Sequence, residues 1–254
     1  RQMCIRDSIK IAAFTFLILF FIVDNMNFEN ELISGTFVKR YKRFFVDVLV
    51  NKKIVTCHCP NTGSMMGLLE NGNKVWISRS NNTKRKLMYT LQIIEAEGSK
   101  IGVNTHLTNK IAQEALKENS IKELKNLDII ETEKKYNENT RFDFFVVKNK
   151  KKIFVEVKNV TLSRKKFLAE FPDAITSRGA KHIKNLVDSI KRGYEAYLLF
   201  VIQRDDCKRF KIAEDIDSEY AKLLTNAIKN KLKIICYDCK FSSKGIKIGN
   251  KIKF

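Results

Sequence analysis

The chain is short of the residues that usually mark boundaries. It has two prolines and ten glycines in 254 residues, so its divisions must come from hydrophobic pattern more than from turn residues. It also lacks internal repeats and low-complexity tracts. Acid is scarce: 28 Asp and Glu face 48 Lys and Arg, a formal charge of +20. A surplus of that size suits a polyanionic partner, nucleic acid or an anionic membrane surface. AT-rich coding, which spells many Lys, Asn and Ile, accounts for part of it. No apolar run reaches the roughly 20 residues of a membrane span. The longest, Ile11–Val23, is broken only by Thr15. Arg1, Arg6 and Lys10 flank it as in a signal peptide, but no small-x-small cleavage site follows before Asp24. Three readings remain: translation upstream of a true start at Met26, a membrane anchor, or a cleaved signal. The first is preferred, because RQMCIRDS reads like adapter-derived sequence, and residues 1–25 are set aside as a leader.

The six cysteines lack the spacing of a zinc site. Cys236-Tyr237-Asp238-Cys239 has no second ligand pair. In Cys57-His58-Cys59 the histidine alternates with the cysteines on an expected strand, so the three cannot converge. With Cys4 and Cys207 they read as free thiols in a reducing cytosol, and a cytoplasmic location is expected.

Two patterns are present. In residues 26–103, β-rich stretches at 44–50, 54–58, 74–78 and 87–95 are separated by turn sequences such as Asn51-Lys52-Lys53 and Glu70-Asn71-Gly72-Asn73. Several short strands in so few residues predict a small barrel of the oligonucleotide-binding (OB) type. From 104 to 254 the pattern predicts a helix around 111–116, strands at 129–136, 142–148 and 152–158, a helix over 177–192, a strand at 196–203, a helix over 218–230 and a strand at 233–237. Ala196–Gln203 is nearly all apolar, as in a strand buried on both faces. This order is a mixed α/β sheet.

The chemistry concentrates in RFDFFVVKNKKKIFVEVKNVTL, residues 141–162. On a strand, Ile153, Val155 and Val157 form one face, while Phe154, Glu156 and Lys158 form the other, the acid and amine about 7 Å apart. A turn on Asn149-Lys150 puts residue 148 opposite 151 and, in the same register, Asp143 opposite Glu156. Facing carboxylates repel and lift each other's pKa. A divalent cation removes the conflict, and hard oxygen donors suit Mg²⁺ (or Mn²⁺). Such a cation could activate water against a phosphodiester, with Lys158 orienting the water or holding a phosphate oxygen. The plain alternative is an ion pair on a solvated sheet face. An odd-length loop would shift the register and send Asp143 to the other side.

Asp143 followed by Glu156-x-Lys158 on the next strand resembles the core of PD-(D/E)xK nucleases. More specifically, RYKRFFVDV (40–48), HCPNTGSMMGLL (58–69), GVNTHLTNKIAQEAL (102–116), FVEVKNVTL (154–162) and FPDAITSRGAKHIKNL (171–186) resemble the sugar fermentation stimulation protein (SfsA) family, from about Phe28 to Ile248. The resemblance implies an N-terminal OB-like β-barrel and a C-terminal α/β, restriction-endonuclease-like domain. It carries the nuclease residues onto Asp143, Glu156 and Lys158, with metal at Asp143 and Glu156. It implies either a Mg²⁺-dependent DNA or RNA hydrolase or a non-catalytic, largely non-specific DNA-binding regulator of sugar (maltose) genes. The proline of the motif is absent, with Arg141-Phe142 before Asp143, and Thr108 stands where the family commonly has Pro.

Accessory residues are weighed the same way. Arg178, Lys181 and His182 begin the helix after the Glu-x-Lys strand, where they suit a phosphate or form a solvated face. Gln203 ends the buried strand and could reach water or a base. Glu114 and Asp173 are rival further acids, Glu114 reading more readily as surface. Lys39-Arg40-Tyr41-Lys42-Arg43 sets cations around an aromatic, and Arg79, Lys84, Arg85 and Lys86 form a second cluster. Charge neutralisation with stacking is how single-strand grooves bind. Asn61-Thr62-Gly63-Ser64 reads as a phosphate cradle or a tight turn. The expected partner is DNA, with RNA as an alternative. No small-molecule cofactor and no membrane are expected, and a homodimer is left open.

Overall fold

The structure, a computed structural model, describes residues 27–254. The leader reading for residues 1–25 lies outside the described residues. Strands β1 (Leu32–Tyr41), β2 (Phe45–Val50), β3 (Lys53–His58), β4 (Lys74–Arg79), β5 (Tyr89–Ala96) and β6 (Ser99–Gly102) form one sheet in the order β3-β2-β1-β4-β5-β6. Val46, Val48, Val75, Ile77 and Leu91 point inward in period-2 alternation and build its core. A register shift in β1 between Phe37 and Lys39 bends that strand. The sheet curls until β3 meets β5 at His58↔Thr90, which is the expected OB-like arrangement. Cys57 and Cys59 lie in this core, and burial pushes the Cys57 thiol up to about 12. No cluster of three or more His, Cys, Asp or Glu converges on a metal among the described residues.

Beyond β6, α1 (Thr108–Lys117) leads into β7 (Ile129–Asn137), β8 (Thr140–Lys148) and β9 (Lys151–Val160). Two short strands follow, β10 (Leu162–Lys165) and β11 (Leu168–Phe171). Then come α2 (Ser177–Lys191), β12 (Glu195–Ile202), β13 (Arg209–Ile212), α3 (Ser218–Lys229), β14 (Lys233–Phe241) and β15 (Ile246–Lys251). The main sheet runs β15-β14-β12-β9-β8-β7, parallel across β9, β12 and β14 and antiparallel at both edges. Its two faces bury separate cores. Ile111, Ala112 and Ala115 of α1 cover Val155, Val157 and Leu199. Ile183 and Leu186 of α2 and Leu224 of α3 cover Phe154, Leu198 and Phe200. Each large apolar side chain so buried contributes about 1.5–3 kcal/mol. Coverage on both faces explains why Ala196–Ile202 is apolar throughout. Among the described residues no helix is long and apolar enough to cross a membrane.

The sequence pattern misses β1, which lies between β2 and β4, a small three-stranded sheet, β10-β11-β13, and the edge strands β6 and β15. The OB sheet is joined firmly to the rest. Ile93 belongs to the same core as α1, with Trp76 and Leu32 packed against it. Gly102 donates its N–H to the Gln203 carbonyl, and Phe28 donates to that of Lys244.

Candidate active site and its comparisons

The β8–β9 turn decides the site. Asn149 (φ 49°) and Lys150 (φ 66°) both adopt the left-handed region, the two-residue turn whose twist matches flanking strands. It sets Lys148 opposite Lys151 and holds that register up to Phe144↔Val155. The ladder stops one rung short of Asp143 and Glu156. There strand alternation slips: Phe144 and Val146 enter one core, but Phe142 joins Phe145 and Phe154 in the other. Glu133, in the strand alongside, has φ 52° at the same level. The two acids were expected on one flat face. They meet instead where the sheet splays open, and both line one cleft of about 390 Å³.

Each acid is held from a different side. Asp143 accepts from the backbone N–H of Val157 at 2.7 Å and from Asn109 Nδ2 of α1 at 2.8 Å. Glu156 Oε1 accepts from Lys158 Nζ at 2.6 Å and from His182 Nδ1 of α2. Glu156 Oε2 is buried without a hydrogen-bond partner. Burial and then the Glu156 charge push Asp143 up to about 6, against the pull of its two donors. Burial alone would also raise Glu156, but the Lys158 ammonium and His182 outweigh it and hold the carboxyl below its ordinary value. Lys158 keeps 14% of its side chain exposed, toward the cleft.

The other expected residues divide. Asp173 lines the cleft and accepts from Ser64 N at 2.9 Å. The OB loop is therefore a cleft wall: Asn61, Thr62 and Gly63 line it too. Asn61 Oδ1 accepts from Gly63 N at 2.8 Å, closing a tight turn. Arg40 is turned inward, its guanidinium donating to the carbonyls of Asn61 at 2.7 Å and Gly63 at 3.1 Å. Tyr41, Lys42 and Arg43 are exposed at the β1–β2 turn, and Arg79, Lys84 and Lys86 are exposed around the β4–β5 loop. Arg85 is half-buried and donates to Thr90 Oγ1 at 3.1 Å. Arg178 stands on the rim shared with a second groove of about 650 Å³, which Lys181 also lines.

Three expectations need correction. Glu114 is 4% exposed, not on the surface, and its carboxylate meets Lys247 at 2.8 Å, away from the cleft. Gln203 is fully buried and gives its amide to Thr108 Oγ1 at 3.0 Å and Asn159 Oδ1 at 2.6 Å. That leaves it no surface to offer a base. His182 is 9% exposed and turned onto Glu156, so it is not on a plain solvated face, although it lines the second groove with Arg178 and Lys181. Sequence reasoning missed Asn109, the partner of Asp143, and Glu170, a 1% exposed acid in the cleft wall bound to Arg164. The signal for Asn109 was its place in the first turn of the helix, two residues ahead of the Ile111–Leu116 stripe; Glu170 had none.

The profile described as "SfsA N-terminal OB domain" matches residues 38–103, and that described as "Sugar fermentation stimulation protein RE domain" matches residues 106–245. The chain belongs to the SfsA family. The sugar fermentation stimulation protein homolog of Pelagibacter ubique (strain HTCC1062) is 54% identical over 228 residues, covering 90% of this chain and 98% of that protein. The homolog of Maricaulis maris (strain MCS10) is 46% identical over 219 residues, covering 85% and 93%. Among solved structures, that described as Pyrococcus furiosus SfsA in complex with Ca²⁺ is similar with a TM-score of 0.80 and 25% identity, over 90% of this chain and 97% of that one. Together the two profiles span residues 38–103 and 106–245, most of the OB sheet and of the mixed sheet and all of the small three-stranded one.

Proposed function

We propose that this SfsA-family chain is a divalent-metal-dependent phosphodiester hydrolase acting on nucleic acid, DNA first and RNA as the alternative. One observation carries the reading: two carboxylates from neighbouring strands share a cleft in which one has an orphaned buried oxygen and the other is lifted by burial and then by its neighbour's charge. A cation would relieve both. The donor set fits Mg²⁺ (or Mn²⁺), with Asp143 and Glu156 as its protein ligands, since Mg²⁺ is bound through one or two carboxylates and keeps several waters. The similar Pyrococcus protein described with Ca²⁺, another oxygen-seeking cation, supports this. When bound, the cation would stabilise charge on the phosphate and lower the pKa of a bound water.

The chain's own groups do the rest. Asn109 and the Val157 N–H fix Asp143, and His182 fixes Glu156. Lys158, on the cleft side of Glu156, orients the attacking water or holds a phosphate oxygen. Arg178 on the rim offsets charge on the neighbouring phosphate. The exposed cations of the OB domain grip the backbone without reading sequence.

A non-catalytic, DNA-binding regulator is a second reading. It is favoured by the closure of Lys158 and His182 onto one oxygen of Glu156, a cluster that neutralises this acid without any metal. Incubating the protein with plasmid, single-stranded DNA and RNA in Mg²⁺, Mn²⁺ or EDTA separates the two. Cleavage that needs the metal and is lost in Glu156→Gln while binding persists is the expected result. Binding that weakens steeply with salt and never cleaves overturns the hydrolase.

A further inference from the structure

We propose that a second cavity, on the closing seam of the OB domain, holds one nucleotide unit of the bound strand by its phosphate, a step or two from the scissile bond. This rests on the nucleic-acid reading above. The cavity has a volume of about 320 Å³. Three fixed cations, Arg79, Arg85 and Lys110, face it against a single carboxylate, Glu29. Two of the chain's three histidines join them, His58 and His106, with ring centroids 6.5 Å apart. Positive charge from three elements is thus gathered on one concave surface, the arrangement that concentrates an anion. The crowding is felt inside: burial, Arg85 and His106 lower the His58 pKa.

The floor adds selectivity. Gln92 and Asn104 are each 7% exposed and line the cavity. Gln92 Nε2 donates to Ser78 Oγ and Asn104 Nδ2 donates to Gln92 Oε1, each at 2.8 Å. Each amide nitrogen carries two protons and spends one in this chain, so the other is available to a base edge or a ribose hydroxyl. A floor that can donate to uncharged groups beneath a cationic rim fits a nucleotide better than a bare phosphate.

The cavity also lies in the right place. Pro60 lines it, and Asn61 lines the catalytic cleft; His106 lines it, and Thr105 lines the cleft. Lys110 lines it, and its neighbour Asn109 holds Asp143. Thr105 donates its hydroxyl to the Pro60 carbonyl at 2.7 Å, so the walls of the two spaces touch directly. A strand crossing those walls sets one phosphate at Asp143 and Glu156 and a neighbouring nucleotide in the cationic cavity.

The test uses the histidines of the full chain as reporters. Their ring Cε1–H signals are followed by NMR in EDTA during titration with AMP, adenosine or inorganic phosphate, and His182, beside the catalytic cleft, reports separately any binding there. The expected result is saturable movement of His58 and His106 with AMP, at least tenfold tighter than with adenosine or phosphate. Arg85→Ser should weaken it about tenfold or more, and so should Lys110→Ser, whose side chain is exposed and outside the packed cores. Silent histidines, an equal response to phosphate and AMP, or undiminished binding in both variants would overturn the proposal. The two readings fail separately. Metal-dependent cleavage with silent histidines removes the nucleotide cavity alone. Responsive histidines in a protein that never cleaves support the cavity and remove only the hydrolase.

Discussion

Glu156 and Glu170 are almost equally buried, at 2% and 1% exposure, and both line the same cleft. Both are held below the ordinary carboxylate range. For Glu170 the main cause is the Arg164 guanidinium; for Glu156 it is Lys158 and His182 overcoming burial. Their oxygens differ. Glu170 Oε2 accepts from Arg164 N at 3.1 Å and Nε at 2.9 Å, and Oε1 takes Arg164 Nη2 at 2.9 Å and Lys211 at 3.2 Å. Every lone-pair direction is occupied, and Arg164 continues to Asp215. Glu156 crowds two donors onto one oxygen and leaves the other empty, beside a second carboxylate. A buried charge that is fully satisfied stabilises; one that is half-satisfied is kept for something else. Glu170 reads as a strut of the cleft, and Glu156 as its chemistry.

The largest expected effect tests the chemical half. Glu156→Gln keeps the volume but removes a proposed ligand from a site whose cation would supply several kcal/mol of transition-state stabilisation. Cleavage should fall at least about a hundredfold. The thermal midpoint should move by no more than roughly 3 °C, because relief of Asp143 offsets the lost attraction to Lys158. Steady-state cleavage assays with calorimetry on the same preparation check both parts.

Glu170→Gln should invert that pattern. Breaking a buried ion pair costs about 3–5 kcal/mol. Arg164 and Lys211 keep 30% and 47% of their side chains exposed and can rehydrate, so about 2–3 kcal/mol is expected here. Urea unfolding measures it. A Glu170 variant of unchanged stability, or a Glu156 variant that unfolds while still cleaving, would erase the distinction between the two acids.

The same pair shows what could be read from the sequence. The Asn149-Lys150 turn and the alternation of Ile153–Lys158 are local, so the β8–β9 register and the meeting of Asp143 with Glu156 were legible. The slip at Phe142–Asp143 was not, because it goes with a left-handed residue, Glu133, on the neighbouring strand, which no local pattern of β8 reports. Glu170 was invisible for a related reason. β10, β11 and β13 are four residues each, too short to show a period, and β11 pairs with β13 some forty positions along the chain. Arg40 teaches a different limit. Its neighbours Lys39, Lys42 and Arg43 make it look like part of a cationic surface, yet its guanidinium is committed to the carbonyls of the 61–63 loop. Composition reports how much charge a segment carries but not where each head group points. Glu114 is the converse, an acid on an otherwise ordinary amphipathic helix that is buried because Lys247 of the last strand reaches it.

The smallest effect concerns the neighbour that makes Glu156 unlike Glu170. Asp143 sits at about 6, above the 3.8 of an unperturbed aspartate. The folded, metal-free protein therefore binds this proton more tightly than the unfolded chain does. Its contribution to stability is present in full below pH 4 and is lost as pH rises through about 6. Metal binding needs the carboxylate and runs the other way, weakening as pH falls below 6. In EDTA, the difference in thermal midpoint between the parent protein and Asp143→Asn should swing by a few degrees between pH 4.5 and 7.5, with the parent relatively more stable at the acid end. The stabilising shift caused by Mg²⁺ or Mn²⁺ should be larger at pH 7.5 than at pH 5 and absent in Asp143→Asn. A metal-induced shift that ignores pH across this window would mean that Asp143 is not a ligand. Glu156, with its one empty oxygen, would then differ from Glu170 for a reason other than a shared cation.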